Sequence, residues 1–345
     1  MLTALVFYPQ SPFRGEITAN TLFGAICWGI RKFYGEDELK NFLKEYKNGN
    51  PPFVFSSPLP IDKEGKLWFF RPPLEGSIFD NSNREELKRR YPVSKRFKKL
   101  SLIEWDVLKK ILSGKIKSEK ELFGEILKKL FPKESNAEDK DPQEVAEALE
   151  KYTKEAPKLK ETTLTVKTPI NRLTFTAKEG ELHNEVVNVY NPFAVLFKVY
   201  NQKWFEKAKV ALKVVRLGGN KTVGLGRFEF EEKKEIIPEG LEDFTNKGER
   251  IYLLSPTTPT TYIDIERSLY EVKIERSAVD KSLGYFDPSF VNLPVWKKAI
   301  TYLKEGSILS LKEPSEVVGS LKETLRVGNS TICAYGLGFF LSFLG

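Results

Sequence analysis

The chain has 345 residues, of which 41% are hydrophobic and 12% aromatic, so it is long enough for two ordinary domains and can bury a sizeable core. With two cysteines, Cys27 and Cys333, and a single histidine, His183, it cannot build a disulfide framework, a four-ligand zinc site or a histidine-rich metal site, and we expect no metal or cofactor. The net charge of +8 favours an anionic partner, most simply a nucleic acid.

The first predicted unit is a strand, a loop and a helix. TALVFYP alternates apolar and small residues, as a strand does. In the following ITANTLFGAICWGIRKFYG, apolar residues recur at helical spacing, Thr18 or Asn20 can cap the start, and Gly35 ends the helix. Gly24 and Gly29 lower the helix propensity, which indicates that this helix packs closely against another backbone.

A charged insertion comes next. Residues 51–76 predict two short strands around an Asp-Lys-Glu-Gly turn, and residues from about 80 to 160 predict long, charged helices. The run from Arg84 to Lys99 contains eight basic residues against two glutamates. Two interpretations of this run stay open: solvated helix faces, or a surface that contacts a phosphate backbone.

The sequence then returns to strands. Thr- and Val-rich residues predict a β-hairpin over about 162–188, with a Lys-Glu-Gly turn and with Lys167 and Arg172 as basic residues on its surface. AVLFKVY predicts a strand, NQKWFEKAKVALKVVRL a helix, and GGNKTVGLGRFEF a glycine loop that leads into a further strand.

A second unit follows a polar connection. IYLLSPTTP and SLYEVKIERSAV predict strands, PVWKKAITYLKEG a helix, and TICAYGLGFFLSFL a terminal strand or hairpin. The pattern predicts an α+β protein of two ferredoxin-like (RRM-like) domains: residues 1–237, which carry the insertion and the hairpin, and residues 248–345.

One phrase occurs twice. GNKTVGLGRF begins at Gly219, and GNSTICAYGLGFF begins at Gly328. If the two domains are related, each ends in a glycine loop and a closing strand.

The first of these loops does not suit a nucleotide cofactor. A Walker loop opens a helix with Gly-Lys-Ser/Thr, and a dinucleotide fingerprint lies between a strand and a helix, whereas here the loop follows a helix and precedes a strand. Glycines in that position allow an extended anionic ligand to approach backbone N–H groups. Lys221 and Arg227 add positive charge, and Phe228 either stacks on a base or fills the core.

These motifs resemble the RAMP superfamily of CRISPR proteins. GGNKTVGLGRFEF is similar to the glycine-rich loop of that superfamily. FYPQSPFRGEITANTLFGAICWGI, TPINRLTFTAKEGELHN, WKKAITYLKEGSIL and the terminal YGLGFF are similar to stretches of the subunits of type III-A (Csm) effectors that cap the 5′ tag of the guide RNA. The matches cover most of the chain outside the 80–160 insertion.

The resemblance implies a non-catalytic structural subunit. It implies binding of the crRNA 5′ tag by the glycine loop and a thumb-like role for the hairpin at the edge of the guide–target duplex, so that target RNA is contacted indirectly. It also implies two protein partners, a large polymerase-like subunit and a backbone RAMP subunit. Because no apolar run reaches the ~20 residues of a membrane span, we expect a cytoplasmic protein without a membrane partner. The candidate RNA-binding residues are Arg14, Lys167, Arg172, His183, Gly218, Gly219, Asn220, Lys221, Thr222, Gly224, Gly226 and Arg227.

His183 defines the alternative function. Endonucleases of the same superfamily that process guide RNA use a histidine as general base on a ribose 2′-hydroxyl. Metal-independent RNA cleavage by His183 is therefore the competing hypothesis, against a structural histidine on the hairpin.

Overall fold

The computed structural model describes residues 1–79, 84–132, 140–168, 173–174, 176, 182–279, 296–327 and 330–344. The helices are α1 (Ala19–Tyr34), α2 (Glu36–Lys47), α3 (Arg84–Lys98), α4 (Trp105–Leu112), α5 (Glu119–Leu130), α6 (Pro142–Glu155) and α7 (Gln202–Lys213). The strands are β1 (Leu2–Pro9), β2 (Phe53–Phe55), β3 (Leu59–Pro60), β4 (Trp68–Phe70), β5 (Leu102–Glu104), β6 (Lys160–Lys167), β7 (His183–Tyr190), β8 (Phe193–Val199), β9 (Phe228–Glu232), β10 (Gly248–Leu253), β11 (Ile263–Leu269), β12 (Val272–Glu275), β13 (Ile300–Leu303), β14 (Ile308–Ser315), β15 (Val318–Gly319), β16 (Lys322–Val327), β17 (Ser330–Ala334), β18 (Leu337–Gly338) and β19 (Phe340–Ser342). Within the described ranges, no helix is long and apolar enough to cross a membrane.

The first sheet has the strand order of a ferredoxin-like unit. Its order is β2-β8-β1-β9 with all neighbours antiparallel, and β3 also pairs with β8. Helix α1 follows β1 and helix α7 follows β8, so the chain runs strand, helix, strand, strand, helix, strand apart from its insertions. This confirms the predicted fold of the first unit.

Helices α1 and α7 pack closely against each other. The side chain of Thr18 accepts a hydrogen bond from the Thr21 N–H and caps α1, as predicted. A Cβ atom on Gly29 would lie 2.3 Å from the backbone oxygen of Ala211 on α7, which confirms the predicted close approach at this glycine. The same prediction is wrong for Gly24, which is exposed and has nothing within 4 Å of an added Cβ.

The second sheet repeats the strand order of the first. Its order is β11-β14-β10-β19, so β10 and β19 take the places that β1 and β9 take in the first sheet. Both glycine-rich phrases therefore lead into a strand that pairs antiparallel with the first strand of its sheet, as the repeated phrase predicts.

The helix predicted for PVWKKAITYLKEG is wrong. Ile300–Leu303 form strand β13, which pairs with β12, and the described residues from 248 to 344 contain no helix. A short apolar run satisfies both the helical and the strand period, and pairing with β12 decides between them here.

A shared apolar core joins the two sheets, and a second, smaller apolar cluster lies within the second half of the chain. The Tyr335 ring, which follows β17, stacks on Phe55 of β2 with ring centroids 4.7 Å apart and also contacts Phe23 of α1 at 4.9 Å. Buried residues of the second sheet, including Tyr252 and Leu341, belong to the same cluster as the residues of the first. The domain boundary between residues 237 and 248 stays a prediction.

The insertion is helical, as predicted. Its basic run lies on α3 beside the acidic α6, where Arg96 Nε is 2.7 Å from Glu150 Oε2. Arg89 is paired with Asp141 at 3.8 Å. Part of the positive charge of this run is therefore neutralised within the insertion itself.

We expect Gly29→Ala to lower the free energy of unfolding by about 1–3 kcal/mol, because the new methyl group has no room against Ala211. The matched control is Gly24→Ala on the exposed side of the same helix, which should raise the free energy of unfolding by up to ~1 kcal/mol through helix propensity. Chemical unfolding followed by circular dichroism measures both. A Gly29 variant as stable as the Gly24 variant would contradict the packing described.

Candidate nucleic-acid interface

The hairpin leaves the body of the protein beside the end of β1. Strands β6 and β7 pair antiparallel from Lys160 and Tyr190 to Lys167 and His183. Phe13 exchanges two backbone hydrogen bonds of 2.8 Å with Asn188, which anchors the base of the hairpin. The predicted hairpin strands are confirmed. The predicted Lys-Glu-Gly turn, Arg172 and the side chain of His183 lie outside the residues and side chains that the structure describes.

The glycine loop, residues 217–227, lies along the segment that follows β1. The Gly219 N–H donates to the Arg14 carbonyl at 3.0 Å, and the Gly226 N–H donates to the Pro12 carbonyl at 2.9 Å. The Arg227 N–H donates to the Ser11 hydroxyl at 2.9 Å. The expectation that Gly219 and Gly226 offer free N–H groups to a ligand is thus corrected, because both groups are used within the protein.

Two of the glycines are required by close backbone contact. A Cβ on Gly218 would lie 2.6 Å from the Arg14 carbonyl oxygen, and one on Gly226 would lie 2.0 Å from the Leu217 oxygen. Both have a left-handed φ of 78°. Gly224 also has a positive φ, but open space surrounds it, so its surroundings leave room for a ligand.

Glu185 of β7 connects the three parts of this region. Its carboxylate, which is only 8% exposed, accepts a hydrogen bond from the Asn220 amide of the glycine loop and pairs with Lys167 of β6. Arg14 Nε lies 3.4 Å from the same carboxylate, and Arg14 Nη1 donates to Asn220 Oδ1 at 2.9 Å. We call these four residues the junction cluster. The structure thus brings together the predicted residues Arg14, Lys167 and Asn220 around an acidic residue that the sequence analysis missed.

Electrostatics keep the Glu185 carboxylate ionised. The hydrogen bond from Lys167, followed by the charges of Lys167 and Arg14, lowers the pKa of Glu185 below its usual value, although burial opposes the shift. Asn220 lies at a left-handed φ of 54°, a conformation that asparagine tolerates better than most residues. Its side-chain amide is fixed by Arg14 on one side and Glu185 on the other.

The outer part of the glycine loop faces solvent. Residues Lys221–Val223 form one turn of 3-10 helix, with Thr222 exposed and Lys221 half-buried. Arg216 donates to the Lys221 carbonyl, which braces the turn. Arg227 is exposed, and its guanidinium has no partner within the part of the chain that the structure describes. Phe228 packs on Phe7 with ring centroids 5.4 Å apart, so the core interpretation of this residue is confirmed.

The far side of the hairpin is apolar. Leu164 and Val186 are cross-strand partners and therefore share one face with Val166. The three side chains are 63%, 56% and 65% exposed, respectively. Glu185, at the alternate position, points to the opposite face, so the hairpin presents one apolar face and one charged face.

The described residues offer no metal chemistry to this region. No group of three or more His, Cys, Asp or Glu residues within them could hold a metal ion. The chemistry that the region does offer is cationic and hydrogen-bonding, through Arg14, Lys221 and Arg227, beside an apolar hairpin face.

Comparison with known proteins gives a result for the fold. No protein-family model and no curated protein sequence matches the chain. A chain of the Csm3-Csm4 subcomplex in the type III-A CRISPR-Cas interference complex is 20% identical, with 99% of this chain and 100% of that chain covered and a TM-score of 0.55. A chain of the Csm1-Csm4 cassette in complex with cA4 is 16% identical, with 100% and 98% covered and a TM-score of 0.50.

The chain therefore has an α+β fold like that of a subunit from type III CRISPR effector complexes. Within that class, the fold it shares is that of Csm4. This confirms the resemblance that the sequence motifs indicated, and at these identities it establishes the fold alone.

Glu185→Gln should lower the free energy of unfolding at neutral pH, since it removes the charge that pairs with Lys167 and Arg14. The pKa of Glu185 is lowered by folding, so its stabilising contribution is present above the unfolded pKa of about 4.3 and is lost as the pH falls through the folded pKa. The difference between wild type and variant should therefore shrink below about pH 4. Unfolding measured over a pH series checks this, and a difference that grows on acidification would contradict it.

Proposed function

We propose that the chain is a non-catalytic, RNA-binding subunit of a cytoplasmic type III-A CRISPR ribonucleoprotein, in which it holds the 5′ tag of the crRNA. The observation that carries the proposal is the junction of the glycine loop, the Arg14 segment and the hairpin base, where exposed cations surround a loop shaped by backbone contacts. The RAMP-like fold supports it, because the fold is that of a subunit of such complexes.

Phosphate contacts in this proposal come from side chains and from the open part of the loop. Arg14 is 56% exposed and retains N–H groups without partners among the described residues. Lys221 and Arg227 belong to the same loop, and Gly224, which lies between them in the sequence, has nothing within 4 Å of an added Cβ. Arginine and lysine at such positions bind phosphate oxygens without reading sequence.

Two protein partners are proposed by likeness. The two solved structures compared above pair Csm4 with Csm3 and with Csm1, respectively. We infer that this chain joins a backbone subunit of the Csm3 kind to a large polymerase-like subunit of the Csm1 kind. Val272 and Ile274, exposed on one face of β12, provide an apolar surface suited to a protein contact.

The hairpin is proposed to act as a thumb at the edge of the guide–target duplex, so that target RNA is contacted indirectly. Leu164, Val166 and Val186 form an exposed apolar face on a two-stranded projection. Apolar side chains of this kind are used by nucleic-acid-binding proteins to insert against base steps.

Lys221→Glu combined with Arg227→Glu should reduce affinity for RNA carrying the 5′ tag by roughly tenfold or more and make the binding less dependent on salt, because two phosphate contacts are lost. Filter binding at several salt concentrations measures this. The matched control is Lys63→Glu with Lys203→Glu, which changes the charge equally at two exposed residues away from the loop. Equal affinity of the two folded double variants would refute the proposed site.

The competing hypothesis is cleavage of repeat RNA by His183. Incubating the purified chain with repeat RNA in the absence of metal distinguishes the two functions. The proposal expects the RNA to remain intact. Cleavage that is lost in His183→Ala would replace the proposed scaffold with an endoribonuclease.

Leu164→Asp combined with Val186→Asp should weaken binding of a guide–target duplex in the assembled complex by roughly tenfold, or about 1.4 kcal/mol, while leaving affinity for the tag unchanged. The reason is that charged side chains cannot pack on a base pair without being desolvated. Thr163→Asp, exposed on the opposite face of the same hairpin, is the control. If the control weakens duplex binding as much, the apolar face is not responsible.

A further inference from the structure

Glu185 has no role in phosphate binding as proposed so far, yet its carboxylate contacts three of the residues assigned to the RNA interface. An acidic group at the centre of a site for an anionic ligand opposes binding by its charge. Its burial and its three partners show that it is built into the fold, since an unneeded carboxylate would face solvent.

We propose that Glu185 is a specificity-determining positioning residue of this interface. It holds Arg14 in one geometry and reduces the positive charge of the junction cluster, so that RNA binds tightly only when it also contacts Lys221 and Arg227 of the glycine loop. The inference rests on the proposed RNA-binding function and assigns a role that the function alone does not require.

The positioning follows from a closed set of contacts. Arg14 Nη1 donates to Asn220 Oδ1 at 2.9 Å, and Asn220 Nδ2 donates to the Glu185 oxygen that lies 3.4 Å from Arg14 Nε. The guanidinium is therefore restrained from two directions while more than half of the side chain stays exposed. A guanidinium restrained before binding loses less conformational freedom when a phosphate arrives.

The selectivity follows from charge. Arg14 and Lys167 carry two positive charges, and Glu185 leaves the junction cluster with one. An RNA strand that contacts only this cluster is attracted weakly, whereas an RNA strand that also contacts Lys221 and Arg227 recovers the full electrostatic attraction. Specificity is a difference between two affinities, and a repulsive group that penalises the wrong ligand is one way to produce it.

The test uses the full-length chain and two single-stranded RNAs of equal length, one carrying the 5′ tag and one scrambled. The Glu185→Gln variant should bind the scrambled RNA about threefold or more tightly than wild type, because its junction cluster carries two positive charges in place of one. The preference for tag RNA should fall by a similar factor. The matched control is Glu161→Gln, which removes the same charge from an exposed residue of the same hairpin and should leave both affinities within about twofold.

A second variant, Arg14→Gln, and a second probe, heparin, distinguish failure of the role of Glu185 from failure of the proposed function. Arg14→Gln, which leaves the Lys167 pair in place, should weaken tag RNA binding more than scrambled RNA binding. On a heparin column, Glu185→Gln should elute at higher salt than Glu161→Gln. Equal elution of these two variants, or a Glu185 variant with unchanged preference, would overturn the role of Glu185. Failure of wild type to bind either RNA would instead refute the proposed function, and the heparin comparison would still decide the electrostatic effect.

Discussion

The close approach of the segment after β1 to the glycine loop is the constraint on which the rest of the region depends. Gly226 lies where any Cβ would meet the Leu217 oxygen, and Gly218 lies where one would meet the Arg14 oxygen. These contacts bring the end of β1, the start of β9 and the hairpin base into one place. Without them, Arg14 and Asn220 would not reach Glu185, and the cations would be distributed over separate loops.

The aromatic core imposes a similar constraint on the two sheets. Tyr335 contacts Phe55 and Phe23, so a residue that follows a strand of the second half packs on the first sheet and its helix. Asn20 accepts a hydrogen bond from the Tyr335 N–H at 3.1 Å, which ties α1 to the same place. A substitution that alters the packing of either half would therefore alter the packing of the other. The two sheets therefore act as one support for the hairpin.

Sequence patterns predicted what depends on local periodicity and caps, such as the Thr18 cap, the Gly29 contact and the hairpin strands. They failed at β13, where an apolar run fits two periods and only pairing with β12 decides. They also missed Glu185. In the stretch HNEVVNVY, the alternation of Glu185 with Val187 predicts that both side chains lie on the same face of the strand. The partners of Glu185 on that face are residues 14, 167 and 220. The strand register that aligns them is not visible in the sequence.

The glycine motif shows why likeness of sequence and likeness of role must be separated. Its glycines are mainly explained by backbone contacts inside the protein, because the N–H groups of Gly219 and Gly226 already have partners. In the second phrase, Gly336 would bring a Cβ within 2.4 Å of Thr258, again a contact within the protein. The spacing of the glycines in this fold is thus explained by the way in which the closing strand, β9 or β19, is joined to its sheet. Any ligand must therefore be recognised by the side chains of the loop. Lys221 and Arg227 of the first phrase supply positive charge at the positions where the second phrase has Ser330 and Phe339.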